Sequence, residues 1–210
     1  MPSFVFPRFR FGRSQREHPK LFRSNTLPAT LPGPTPFKFR PQPRRRNYAS
    51  VHPLLAISYP PLLRYNLLDH PSHIISTMTH APIPSQVLAE AATNPLLPSL
   101  TLAHPRLMWQ CVIRPVSNGS YITVFDVLDT LYRFLRTNVL ESEYRSLPPD
   151  VQRRVYAAYQ NRCSRLRGSR ERYEERMKGV KRVDFLMESI RFQGLSPTNS
   201  GNTVWMINVS

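Results

Sequence analysis

The chain has 210 residues, a formal net charge of +16 and 22 prolines. This length accommodates one ordinary domain with extensions, and most of the prolines must lie outside regular elements. There is no run of 18 apolar residues, so no membrane span is predicted. The two cysteines, Cys111 and Cys163, have no partners at metal-ligand spacing. This argues against a disulfide scaffold or a zinc site and favours reduced thiols in an intracellular protein.

The positive charge is concentrated towards the N-terminal end. Residues 1–68 hold twelve of the 29 Lys and Arg residues but only one of the 13 acidic residues. Such an excess favours polyanionic partners, although a basic tail gives the same total without any binding role for the folded part.

Residues 1–50 are predicted to form a disordered basic tail rich in Pro, Arg and Phe, because they show no period that would bury one face. Three interpretations stay open: a presequence for mitochondrial import with a candidate cleavage after Tyr48, a solvated tail, or an artefact of gene modelling. The nearly acid-free composition fits import, whereas the prolines disfavour the amphipathic helix that import needs.

Residues 51–106, called the strap below, are apolar and interrupted by prolines. Such a segment is predicted to wrap the core in an extended form, since it cannot form long elements and has too many leucines to stay solvated. The strap holds five histidines: His52, His70, His73, His80 and His104. Three of them precede proline, which is typical of turns and favours turns over a metal site.

Residues 107–210 carry the periodic patterns of a compact core. Alternation predicts a strand over 109–114, closed by Pro115. Thr123, followed three residues later by Asp126, is a capping pattern that predicts the start of a helix. The apolar stripe of this helix consists of Val124, Val127, Leu128, Leu131 and Leu135.

Two further helices are predicted after it. Residues 138–141 repeat the capping pattern for a short helix that ends at Leu147. The sequence Pro148-Pro149-Asp150 then starts a long helix that stops near Gly168. One face of this helix carries Val151, Val155, Ala158, Tyr159, Arg162, Cys163 and Leu166, and the other face is rich in arginine.

The C-terminal end returns to β-prone sequence. Residues 180–187 are apolar with interspersed charges, and the runs 190–195 and 204–209 flank a turn and predict a hairpin. The pattern predicts an α+β fold, a small antiparallel sheet with three helices packed on one face. The predicted core residues are Trp109, Leu128, Leu131, Val155, Phe185, Phe192 and Trp205.

Several of these stretches resemble a domain family of unknown function that is abundant in mushroom-forming (basidiomycete) fungi. The resemblance is carried by Gly179–Leu186, Phe192–Thr198 and Trp205, and upstream by Leu62–Leu67, Leu100–Pro105, Trp109 and Val124–Leu128. It covers about residues 51–210 and is most specific at Arg182-Val183-Asp184 and Gly194-Leu195. It implies an α+β domain and no activity, cofactor or catalytic residue.

The sequence offers no pattern of a known catalytic site. No histidine follows His104, so a Ser-His-Asp or Cys-His set would need a base from the strap. No Walker loop or dinucleotide fingerprint is present. Asp184 is the acid that stands out. We expect it to be a buried partner of an arginine, because a buried carboxylate needs pairing, and the alternative is a pocket carboxylate.

Residues 145–182 contain twelve basic residues against four acidic ones. The candidate polyanion contacts are Arg153, Arg154, Arg165, Arg167 and Arg170. Tyr156, Tyr159 and Tyr173 would be available to stack on bases. The competing interpretation is a solvated helix face with mixed charges, whose aromatic residues point to the core.

The sequence as a whole favours a non-enzymatic binding or interaction module of unknown ligand, with no cofactor and no metal. One alternative is a basic-surface nucleic-acid-binding protein, and another is a hydrolase or transferase that uses the strap histidines. The partner would accordingly be a protein or a nucleic acid.

Overall fold

The computed structural model describes residues 49–201 and 203–210. The predicted tail over 1–48 and the candidate cleavage after Tyr48 lie outside the described residues. Ser50, which the sequence placed in the tail, begins the first strand. No helix in the described part of the chain has the length and apolar character needed to cross a membrane.

The described residues form eight strands, five α-helices and two 3-10 helices. The strands are β1 Ser50–Val51, β2 Leu63–Arg64, β3 Ile75–Ser76, β4 Thr93–Asn94, β5 Leu100–Ala103, β6 Cys111–Ile113, β7 Phe192–Pro197 and β8 Val204–Val209. The helices are α1 Ser85–Leu88, α2 Val124–Leu135, α3 Glu141–Arg145, α4 Pro149–Ser164 and α5 Ser169–Met177. The 3-10 helices are Pro71–His73 and Arg182–Leu186.

The main sheet has the strand order β6-β5-β8-β7, and it is mixed. Strands β5 and β6 are antiparallel, and β7 and β8 form the predicted hairpin, which is confirmed. However, β5 and β8 are parallel, so the prediction of an antiparallel sheet is wrong. Parallel strands require a crossover connection, and here the helices between β6 and β7 provide it.

The strap contributes directly to this sheet. Its strand β5 is an interior strand, and Leu100 and Leu102 are fully buried. Leu55 and Ile57 hydrogen-bond to Leu195 of β7 through their backbones, at 2.7 and 3.1 Å. Gly194 makes this approach possible, because a Cβ there would lie 2.6 Å from the backbone of Ile57. Part of the strap is therefore built into the core.

Helix α2 begins as the sequence predicted. The Thr123 hydroxyl accepts a hydrogen bond from the backbone N–H of Asp126 at 3.0 Å, and the Asp126 carboxylate accepts one from the N–H of Thr123 at 3.0 Å. All five residues of the predicted stripe are buried. The helix packs against β6, which joins this apolar stripe to the sheet.

The other helices differ from the prediction. Five α-helices are present instead of three, because α1 and α5 lack the apolar stripe that would have indicated them. The predicted long helix ends at Ser164, and Gly168 precedes α5. Helix α3 is capped by Glu143, whose carboxylate accepts a hydrogen bond from the Leu140 N–H at 2.9 Å. The predicted capping segment, which began at Asn138, does not supply this cap. Helix α4 packs chiefly on the 3-10 helix Arg182–Leu186.

Residues 182–186 form a 3-10 helix, so the β-prone interpretation of 180–187 is wrong. The cause is local, because the Asp184 carboxylate accepts from the backbone N–H of Lys181 at 2.8 Å and closes a helical turn.

Arg182 lies between two aromatic rings, 4.8 Å from the centre of Trp109 and 4.6 Å from that of Phe134.

Six of the seven predicted core residues are buried, as predicted. Trp109 is only partly buried, and its ring packs edge-on against Phe185 at 5.1 Å. Its indole N–H donates to the Glu143 carboxylate at 2.8 Å, so the polar tip of this side chain stays near the surface.

Candidate binding cleft

Helix α4 supplies one wall of the candidate site. It begins at Pro149, where proline is favoured because the first helical N–H groups have no partner, and Asp150 lies in its first turn. Its buried residues are Val155, Arg162 and Cys163. A charged residue therefore lies on the inner face of the helix, between apolar neighbours.

Arg162 is held by a nearly complete set of hydrogen bonds. Its Nε donates to Asp184 Oδ1 at 2.8 Å, and its Nη2 donates to Asp184 Oδ2 and to the Gly179 carbonyl, both at 2.9 Å. Asp184 Oδ2 also accepts from the Lys181 N–H at 2.8 Å. This is the buried arginine partner that the sequence predicted for Asp184. The pair ties α4 to the 3-10 helix.

Glu175 of α5 is the second buried carboxylate of this cluster. It accepts from Arg162 and Lys181, and it lies 3.5 Å from Arg136 and 3.3 Å from Lys178. Burial by itself would raise the pKa of Glu175, but the hydrogen bond and charge of Lys181, the charge of Arg162 and the hydrogen bond of Lys178 outweigh burial and lower it to about 2. Glu175 is therefore a fixed negative charge at neutral pH.

The same cluster affects Lys181 differently. Burial lowers the pKa of Lys181, and the charges of Arg162 and Arg136 act in the same direction, although Glu175 opposes them. The carboxylate of Glu175 thus forms ion pairs with several cations. The cluster favours the charged form of Glu175 more strongly than the charged form of Lys181. We call Arg136, Arg162, Glu175, Lys181 and Asp184 the charge cluster.

A cleft of about 470 Å³ opens beside this cluster, between α4 and the segment 183–190. Its lining consists of Leu68, Arg154, Ala157, Ala158, Asn161, Arg162, Ser164, Arg165, Val183, Asp184, Met187, Glu188 and Ile190. Arg154 and Arg165 are exposed at its rim, whereas Arg162 and Asp184 are buried at its floor. At this floor the paired charges of Arg162 and Asp184 join α4 to the 3-10 helix.

Of the six residues proposed from the sequence, Arg154, Arg165 and Asp184 come together at this cleft. Arg153, Arg167 and Arg170 are exposed and lie outside its lining. Arg170 Nε lies 2.9 Å from the carboxylate of Glu174, one helical turn away.

The sequence missed the charge cluster as a unit. Arg162 was placed on the inner face of α4, but its partner Glu175 lies in a charged stretch to which no element was assigned. Lys181, which pairs with Glu175, lies in the segment 180–187 that was interpreted as β-prone. The signal that could have indicated the cluster was the charged Arg162 on the apolar face of the predicted helix. A charged residue that is buried needs a partner of opposite charge.

The strap histidines are spread over the strap and make local contacts. His52 Nε2 lies 2.9 Å from the Glu90 carboxylate, and His70 caps a 3-10 helix through the Ser72 N–H at 3.2 Å. Within residues 49–201 and 203–210, no three His, Cys, Asp or Glu side chains are grouped so as to hold a metal ion. Both cysteines are buried, and burial raises the pKa of Cys111 to about 12, so its thiol is not reactive at neutral pH.

A second cavity of about 600 Å³ is lined by Tyr65, Thr77 and Arg191, among others. The hydroxyl groups of Tyr65 and Thr77 are buried and have no hydrogen-bond partner among the residues that the structure describes. Of the strap histidines, His73 lines this cavity, whereas the arginines proposed as polyanion contacts and Asp184 do not.

The fold and the cleft define a mixed helix and strand domain with a preformed cleft and a buried charge cluster. Residues 63–202 match the model of a family of unknown function, DUF6699, so the chain belongs to that family. The match includes α4, α5 and every residue of the cleft. Comparisons with curated proteins and with solved structures each gave no match.

Proposed function

We propose that this domain is a binding module that receives part of a partner in the cleft between α4 and segment 183–190. The observation that carries the proposal is the arrangement of the cleft: two exposed arginines at the rim, a lining that mixes apolar and polar side chains, and a floor of already paired charges. A cleft of this size that combines apolar surface with a few polar groups is typical of a binding site.

The state of Asp184 favours binding over catalysis. Its two oxygens accept three hydrogen bonds, from Arg162 Nε, Arg162 Nη2 and the Lys181 N–H. A general acid or base must reach its substrate, whereas this side chain is 1% exposed. Its role in the proposal is to fix the position of Arg162 and of the cleft floor.

The proposal is tested by blocking the cleft in the full chain. Ala157 is exposed and lines the cleft, so Ala157→Trp fills it from the helix surface. Gln160→Trp is the matched control, because Gln160 is exposed on the same helix and does not line the cleft. Proteins captured from cell extract are compared by mass spectrometry, with and without nuclease treatment.

A partner that is captured by the wild type and by Gln160→Trp, but not by Ala157→Trp, supports the proposal. If both tryptophan variants capture the same proteins as the wild type, the cleft is not the binding site. Loss of every partner on nuclease treatment favours the alternative below.

Single-stranded nucleic acid is the second candidate, and one observation favours it. The solvated-face interpretation of the sequence placed the helical aromatics in the core, but Tyr156 is 49% and Tyr173 is 65% exposed. They lie on the same two helices as the exposed Arg153 and Arg170. Exposed aromatic and basic side chains together are the usual means of binding a single strand.

This alternative makes a distinct prediction for salt. Binding of a twelve-nucleotide single-stranded oligo(dT) would weaken with a log-log slope of roughly −0.7 per phosphate contacted. Arg153→Glu with Tyr156→Ala would reduce both the affinity and the slope in the full chain. Unchanged binding by this variant would assign the affinity to other basic segments and remove the alternative.

A further inference from the structure

The cleft adjoins two smaller hollows. One, of about 380 Å³, shares Arg154 and Met187 with the cleft. The other, of about 240 Å³, shares Leu68, Arg162 and Arg165 with it. Residues of α4 line all three, and we call the three adjoining hollows the groove.

We propose that this groove receives an extended peptide segment whose centre is apolar and whose two ends are acidic. The inference rests on the proposed function and names the chemistry of the partner. Its basis is the distribution of charge and apolar surface along the groove.

Arginines lie at both ends of the groove. Arg106 and Arg154 line the hollow at one end, and Arg136 and Arg165 line the hollow at the other. Among the described residues, Arg106 and Arg154 have no carboxylate within ion-pair distance. Arg165 has only the weak contact with Asp69, at 3.4 Å. These cations are therefore available to carboxylates of a partner.

Arg106 is also held in position. Its Nη1 donates to the Leu186 carbonyl at 2.9 Å and to the Ser189 hydroxyl at 3.2 Å. Neither acceptor carries a charge, so the guanidinium keeps its full positive charge at a fixed place. The exposed carboxylate of Glu188 lines the cleft between the two ends of the groove, and it reduces the net positive charge there.

The middle of the groove offers apolar surface beside the polar side chains of Asn161 and Ser164. The apolar part is lined by Ala157, Ala158, Val183, Met187 and Ile190. The small side chains of the two alanines leave room for larger apolar side chains of a partner. The lining of the three hollows holds one aromatic residue, Phe185, which is buried, so this groove lacks the stacking surface that single-stranded nucleic acid needs.

The length of α4 sets the spacing of the acidic residues. Arg154 and Arg165 are eleven positions apart, which at about 1.5 Å per helical residue is roughly 16 Å. An extended peptide advances about 3.3 Å per residue, so two carboxylates about five positions apart would reach both arginines. A peptide of sequence Glu-Ser-Leu-Ala-Leu-Glu has this spacing and an apolar centre.

The test measures binding of this fluorescent peptide to the full chain by anisotropy. Two matched double variants are compared: Arg154→Glu with Arg165→Glu in the groove, and Arg153→Glu with Arg167→Glu outside it. Both remove the same charge from exposed positions near α4. We expect the groove variant to lose about tenfold or more in affinity, because two ion pairs with the peptide are replaced by repulsion, and the outer variant to lose less than about threefold.

Two further probes complete the experiment. The peptide Lys-Ser-Leu-Ala-Leu-Lys is expected to bind at least about tenfold more weakly, because its charges oppose the arginines. Equal loss in the two double variants, equal binding of the lysine peptide, or no binding of the glutamate peptide would each overturn the inference.

Oligo(dT) that binds more tightly than the glutamate peptide and is lost only in the groove variant would also overturn it. If Ala157→Trp still abolishes capture of a cellular partner in any of these cases, the proposed function stands and only the chemistry assigned to the partner is wrong.

Discussion

Helices α2 and α4 are held in the molecule by different forces. Helix α2 buries a stripe of five apolar side chains, and its one buried acid, Asp126, serves its N-terminal cap. Helix α4 buries few apolar side chains and is fixed through Arg162, which bonds to Asp184 and Glu175. The first helix depends on the hydrophobic effect, and the second depends on paired charges.

The difference explains how a cleft can open beside α4. A continuous apolar stripe closes against its neighbour, because every gap costs packing energy. A helix anchored at one buried charge cluster can leave the rest of its flank open, and the cleft lies along that flank.

Removing one charge from the cluster is expected to have the largest effect. Asp184→Ala leaves Arg162 buried without its main partner, and breaking a buried pair in this way costs about 3–5 kcal/mol. Denaturant unfolding of the full chain measures this loss. The double variant Arg162→Met with Asp184→Leu should recover most of it, because an apolar pair of similar volume avoids the unpaired charge. A loss below about 1 kcal/mol in Asp184→Ala would show that the pair does not anchor α4.

Truncating the stripe of α2 is expected to cost slightly less. Leu128 is 1% exposed, and a buried Leu→Ala change costs about 2–5 kcal/mol through lost burial and the cavity left behind. Because no ionisable group is involved, the pH dependence of unfolding should be the same as in the wild type. A changed pH profile in Leu128→Ala would mean that the two helices are energetically coupled.

Acid is expected to weaken the α4 region selectively. The pKa of Glu175 is about 2 in the folded protein and near its ordinary value of 4.5 when unfolded. The unfolded chain therefore takes up the proton first, so this stabilisation is complete above about pH 4.5 and is lost as the pH falls towards 2, with a total of about 3 kcal/mol.

Hydrogen exchange across this pH range should show α4 and α5 opening before α2. Glu175→Gln is the control, since it cannot titrate there and its stability should vary less with acid. Simultaneous opening of α2, α4 and α5 in the wild type would contradict the distinction between the helices.

Loss of the α2 cap is the smallest of these effects. Thr123→Ala removes the acceptor of the Asp126 N–H and should cost about 1 kcal/mol. Thr123→Ser keeps the hydroxyl and should retain most of the stability. Equal melting temperatures for the wild type and Thr123→Ala would show that water replaces the hydroxyl at no cost.

The sequence predicted the parts of the fold that follow from local pattern. Helix α2 was found because its stripe and its Thr123 cap agree, and the β7–β8 hairpin because two apolar runs flank a turn. The parallel pairing of β5 with β8 was missed, since it joins residues about a hundred positions apart and leaves no local signal.

The candidate site was predicted in part for a similar reason. Asp184 was expected to pair with an arginine, but only the fold shows that this arginine is Arg162. The sequence could not distinguish Arg154, which lines the cleft, from Arg153, which does not. The two are adjacent on α4, and only the packing of other segments decides which of them borders the cleft. The exposure of Tyr156 likewise depends on what packs against the helix.

The central claim is that the two exposed sides of α4 differ: the cleft side binds a partner, and the side of Arg153 and Gln160 is solvated. Amide chemical shifts of the ¹⁵N-labelled full chain, recorded during titration with Glu-Ser-Leu-Ala-Leu-Glu, test it most directly. The account predicts saturable shifts at Ala158, Asn161 and Val183, with Gln160 nearly unchanged. Shifts confined to Arg153, Tyr156 and Gln160, with none at the cleft, would contradict it.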